Sequence, residues 1–189
     1  MEAMHASPHE IERNLSLVND FTDDSIYKPR LYPAQADYEL VSGMKKQPYV
    51  CIAPASVWFT KQYPAEKWMD LIQQLPGHYT IYLLGAPGEA GLCSDIAQKS
   101  KNPNVVSLAG QLRFLQSAAL MKDALLNYVN DSAPMHFASA MNPPVAAVYC
   151  STIPSFGYGP LSDKSYIVET KESLDCRPCG LHGHKQCPL

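Results

Sequence analysis

Between Tyr49 and Tyr149 the chain alternates short apolar runs with segments of helical period, and this alternation restricts the fold more than any other feature. The apolar runs fall at residues 49–54, 80–84, 105–108, 124–129 and 145–149. A helix opens at Pro64, with Trp68, Leu71, Ile72 and Leu75 on one face and Gly77 just past its end. Further helices are expected over residues 89–100, 112–121 and 132–141. Buried strands that alternate with helices imply a parallel sheet covered on both faces. Right-handed crossovers then give an α/β fold, a Rossmann-like doubly wound parallel sheet. A further short strand is expected at Tyr166-Ile167-Val168.

The first 48 residues are different and are expected to be an N-terminal helix and linker, ahead of a domain over residues 49–189. Ser7, Pro8 and Glu10 make a helix start with a capping box, and Ile11, Leu15 and Val18 share a face, so a helix is expected over residues 8–20. Residues 21–48 hold Pro29, Pro33 and Pro48 and are expected to be irregular, with little core of their own.

Of the 189 residues, 46% are hydrophobic and 17% charged, which excludes a largely disordered chain. The net charge of −3 gives no basic excess for a nucleic-acid backbone, so no nucleic-acid partner is expected. No apolar run approaches the roughly 18 residues of a spanning helix, and the N-terminus lacks the apolar middle of a signal peptide. A cytoplasmic protein without a transmembrane segment is expected.

In open parallel sheets, ligands bind beyond the carboxyl ends of the strands. The loop after the first strand carries Ser56, Thr60 and Lys61, two hydroxyls and a cation that suit a phosphate; the alternative is an exposed surface lysine. The loop after the second strand, Gly85 to Glu89, offers a carboxylate for ribose hydroxyls; the alternative is Glu89 beside a helix N-terminus. The backbone of Leu108-Ala109-Gly110 could edge a base pocket. The fourth loop, Asp131-Ser132-Ala133-Pro134-Met135-His136, follows a buried strand and opens a helix, where free amides and the dipole favour an anion. The alternative is a capped helix with a core histidine.

These segments in this order resemble the C-terminal half of the bacterial heptosyltransferases, glycosyltransferase family 9. The resemblance rests on Ala53-Pro54-Ala55-Ser56 with Lys61-Gln62-Tyr63-Pro64 and Trp68, on Leu83-Leu84-Gly85 through Glu89, and on Asp131 to Ala140. It covers about residues 49–188 and implies one half of a GT-B fold, the donor-binding half of an inverting glycosyltransferase. It implies an ADP-heptose-like nucleotide sugar as donor, a lipopolysaccharide precursor as acceptor, and no required cofactor. Ser56 and Lys61 would hold the diphosphate, with amides near Ser132, Ala133 and Met135. Thr60 belongs to the same set. Asp131 would hold the sugar, His136 would shape the pocket, and Glu89 would bind ribose. Ala133 stands where the family usually has glycine, so a positive φ there would strain it. The general base is expected from an acceptor half, so no catalytic residue is expected among these 189 and the chain is expected to be a fragment.

Cys176, Cys179 and Cys187, with His182 and His184 between them, have the residue types of a structural zinc site, a disulfide or free thiols. Two other functions fit the same residues: a non-catalytic nucleotide or nucleotide-sugar binding module, and a zinc-stabilised interaction domain.

Overall fold

The computed structural model describes residues 8–23 and 25–187. The elements run α1 (Glu10–Ser16), α2 (Gln35–Ser42), β1 (Tyr49–Ala53), α3 (Ala65–Gln74), β2 (Thr80–Leu83), α4 (Ala90–Lys99), β3 (Val105–Ser107), α5 (Phe114–Met121), β4 (Asn127–Asn130), α6 (Ala133–Met141), β5 (Val145–Tyr149) and β6 (Ser165–Glu169). The six strands form one sheet in the order β3-β2-β1-β4-β5-β6, and every pairing is parallel.

The strands alternate their side chains between two cores. Val50 and Ile52 of β1 join Trp68, Ile72, Cys93 and Ile96 under α3 and α4. Tyr49, Cys51 and Ala53 point the other way, into the core with Val41, Leu120, Met135 and Ala138 under α2, α5 and α6. The chain thus winds outward from β1 along one face to β3 and returns along the other face to β4. This is the doubly wound arrangement, and it leaves a crevice where the loops after β1 and β4 diverge.

Three local expectations change. Helix α1 is shorter, ends at Ser16, and is capped by His9, whose Nδ1 accepts from the Ile11 amide while Glu12 accepts from the His9 amide. The expected cap, Ser7, lies outside the described residues. Within the stretch expected to be irregular, residues 35–42 form α2, with Asp37 accepting from the Ala34 amide at its start. Val41 is fully buried, with Tyr38 and Met44 packed against the same core. The fourth strand starts at Asn127 rather than 124. Leu125, inside the apolar run, is half exposed, while Asn127 and Asn130 are fully buried. The Asn127 amide group donates to the Met121 and Pro144 carbonyls, which satisfies its N–H groups, while its Oδ1 has no hydrogen-bond partner among the described residues.

Candidate functional site

Asn130 closes the crevice floor. Its Nδ2 donates to the Pro54 and Ala55 carbonyls at 2.7 and 3.2 Å, and its Oδ1 accepts from the Tyr63 amide at 3.0 Å. The end of β4 is therefore riveted to the loop after β1. That rivet brings Lys61 to Asp131: Nζ stands 2.7 Å from Oδ2, with the side chains only 13% and 8% exposed. Thr152, from the loop after β5, donates its hydroxyl to the same Oδ2 at 2.6 Å.

Above this pair lies a cleft of about 320 Å³. Ser56 and Lys61 come from the loop after β1; Asp131, Ser132, Ala133 and His136 come from the end of β4 and the first turn of α6. Six residues lining this cleft were not marked by the sequence: Val57, Trp58, Ile153, Phe156, Tyr158 and Leu181; His182, marked only with the C-terminal cysteines, lines it as well. They have no local signature, because they reach the cleft from irregular segments whose placement depends on tertiary packing.

The first turn of α6 is an uncapped helix start. Ser132 occupies the cap position but its hydroxyl donates to the Asn130 carbonyl instead of accepting from the turn. Pro134 has no N–H, and the Met135 amide donates to the Ser132 carbonyl, while the Ala133 amide has no acceptor among the described residues and stays available to an anion. Ala133 is helical. Among the described residues only Lys101 and Asn142 are non-glycine residues with positive φ, so alanine in the family's glycine position carries no strain.

His136 faces the cleft and keeps solvent access there. Crowding by the cleft walls lowers its pKa; Asp131 opposes that shift, and His9 and Lys61 reinforce it. The ring is thus neutral near pH 7. It can donate or accept without adding a second cation beside Lys61.

Three of the expected contacts do not reach the cleft. The Met135 amide, expected as a donor, is taken by the Ser132 carbonyl, and its side chain is fully buried, the sulfur accepting from the Tyr149 hydroxyl at 3.3 Å. Thr60 turns to the C-terminal segment: its hydroxyl accepts from the His184 amide at 2.8 Å and from Ser151 Oγ at 3.1 Å. Glu89 caps its own turn, accepting from the Ala86 amide at 2.7 Å.

All six cysteines are free, and Cys176 and Cys187 are exposed. Among the described residues, no three His, Cys, Asp or Glu side chains are grouped closely enough to hold a metal ion. Nor is any described helix long and apolar enough to cross a membrane.

The family model described as glycosyltransferase family 9 (heptosyltransferase) matches residues 2–186. The chain belongs to this family. The match takes in the N-terminal helix and α2, which the sequence motifs had left out. Lipopolysaccharide heptosyltransferase 3 of Escherichia coli is 31% identical over 151 residues, which is 75% of this chain and 44% of that protein. Lipooligosaccharide heptosyltransferase 2 of Haemophilus influenzae is 29% identical over 116 residues, or 59% and 33% of the two chains. The chain thus spans less than half the length of the curated relatives it matches. Among solved structures, E. coli ADP-heptose lps heptosyltransferase II superposes with a TM-score of 0.76 at 21% identity, covering 95% of this chain and 61% of that one. E. coli heptosyltransferase WaaC with ADP superposes with a TM-score of 0.64 at 20% identity, covering 86% and 51%. At these identities the superpositions establish the shared fold.

Proposed function

We propose that this family 9 chain is the donor-binding half of an inverting glycosyltransferase, holding an ADP-sugar of the heptose type for transfer to a lipopolysaccharide precursor. The observation that carries the reading is the Lys61–Asp131 pair beside the uncapped first turn of α6, at the point where the loops after β1 and β4 part. A diphosphate needs positive partners held ready. Lys61 offers an ammonium with three N–H groups, one of them turned to Asp131, and the Ala133 amide adds a second donor. Leaving-group charge that grows on the diphosphate during displacement would be stabilised by the same groups. Asp131 uses Oδ2 for both Lys61 and Thr152, which leaves Oδ1 for a sugar hydroxyl. Ser56 and His136 line the same space, and Glu89 would reach ribose only by leaving its own turn. The WaaC structure with ADP supports adenine nucleotide as the ligand class. On this reading, residues 49–189 are the donor domain and the general base belongs to the part of the relatives' length that this chain does not span. The chain works in the cytoplasm.

Calorimetric titration with ADP, UDP, GDP and ADP-heptose tests this. Selective ADP binding, tightened by heptose and weakened about tenfold or more by Lys61→Ala, is the expected result. Equal affinity for all three nucleoside diphosphates, or binding indifferent to Lys61→Ala and Asp131→Ala, would overturn it.

A further inference from the structure

The Lys61–Asp131 pair joins two separate strand ends, yet both partners are backed by one segment, residues 177–184. On the aspartate side, Thr152 holds Asp131 through its hydroxyl, and the Thr152 carbonyl accepts from Arg177 Nη2 at 2.9 Å. Arg177 is also tied to the Cys150 carbonyl at 3.0 Å and to Glu169 at 2.7 Å, and its side chain is only 13% exposed. Between the two sides, the Cys179 amide donates to the Ser151 carbonyl at 2.8 Å. On the lysine side, the Thr60 amide donates to the His184 carbonyl at 3.2 Å and the His184 amide donates to Thr60 Oγ1 at 2.8 Å. Gly183 lies against the stem of Lys61. A methyl there would stand 3.1 Å from Lys61 Cγ and 2.8 Å from Thr60 Oγ1, at a backbone φ of +74°. Only glycine takes up that approach without a shift.

We propose that residues 177–184 form a strap that positions the Lys61–Asp131 pair, with Arg177 and Thr60 as its two positioning residues. Thr60 then serves the cleft through the strap, by fixing the residue next to it. A lysine is a flexible four-carbon stem with a point charge at its end, and a stem packed against the strap holds that charge in place before any anion arrives. On the donor-site reading, the strap sets nucleotide affinity; the placement of Lys61 itself does not rest on that reading.

Limited acetylation of the intact chain with acetic anhydride, quantified at each lysine by mass spectrometry, tests the strap without ligand. In the wild type, Lys61 should react more slowly than the exposed Lys67 and Lys99. Thr60→Val keeps the shape and removes the hydroxyl. It should raise Lys61 labelling about threefold or more, the scale on which contacting residues couple, with Lys67 and Lys99 unchanged. Thr60→Ser, which keeps the hydroxyl, should restore protection, and Arg177→Ala should expose Lys61 as Thr60→Val does. Cys51 and Cys93 are 1% and 0% exposed, so their resistance to iodoacetamide reports that each variant is folded. Should Thr60→Val fail that check, Gly183→Ala makes the same test from the strap side. Lys61 protection unchanged in a folded Thr60→Val or Gly183→Ala chain overturns the proposal, as does Thr60→Ser labelling like Thr60→Val. A wild-type chain that shows the labelling pattern but binds no ADP would remove the donor reading and leave the strap standing.

Discussion

A neutral histidine beside a lysine is a consequence of where the fold puts His136, and it leaves a thermodynamic trace. Crowding by the cleft walls lowers the folded-state pKa below the usual value near 6.5, with Asp131 opposing and His9 and Lys61 adding to the shift. As pH falls through that interval, the unfolded chain takes up the proton before the folded chain does. The unfolded state then binds more protons, so stability is complete above about pH 6.5 and declines as pH falls toward the folded-state value. Replacing His136 with Gln should flatten that part of the stability profile. Urea unfolding at several pH values between about 5 and 7 checks it, and an unchanged slope would show that the ring titrates alike in both states. The members of the cleft that the sequence exposed, Ser56, Lys61, Asp131, Ser132, Ala133 and His136, all lie in the loop after a strand's carboxyl end or in the first turn of the next helix, where a parallel sheet gathers ligand groups. Thr152, Asn130 and Arg177 were not legible, because their meaning lies in partners 21 to 76 residues away.

At the scale of elements, burial decided what periodicity did not. Short all-apolar strands stand out, and β1, β2 and β5 begin where the apolar runs begin. Strand β4 shifts because two asparagines are inside it, and buried amides are invisible to a reading based on apolar runs. Helix α2 was missed for the opposite reason. It has one fully buried residue per two turns and a carboxylate, Asp37, buried at its start, so its apolar face is too sparse to read among prolines. Val41 nonetheless sits at 0% exposure in the core with Leu120 and Met135. The helix is therefore part of the folding unit, and Val41→Ala should cost roughly 2 kcal/mol from lost burial and a residual cavity. A lower midpoint with unchanged slope in urea denaturation is the expected signature. Unfolding indistinguishable from wild type would mean that α2 only rests on the sheet.

For the whole molecule, the net charge of −3 gives no general attraction for an anion, so whatever binds a diphosphate must be local. The cleft gathers Lys61, the Ala133 amide and the dipole of α6 on one side, while the aromatic residues Trp58, Phe156 and Tyr158 line the same cleft. This division predicts that phosphate, rather than the nucleoside, carries most of the coupling between ligand and fold. At about 100 times its dissociation constant, ADP should stabilise the chain by about 2.7 kcal/mol, and adenosine at the same concentration should leave the melting temperature nearly where it was. The ADP shift should fall only modestly as salt rises, since the Lys61 side chain is 13% exposed and a largely buried charge is screened little. Thermal melts with ADP, adenosine and ADP at raised ionic strength separate the possibilities. A shift from adenosine equal to that from ADP would put the binding energy in the aromatic wall and leave the Lys61–Asp131 pair a structural clamp between β1 and β4.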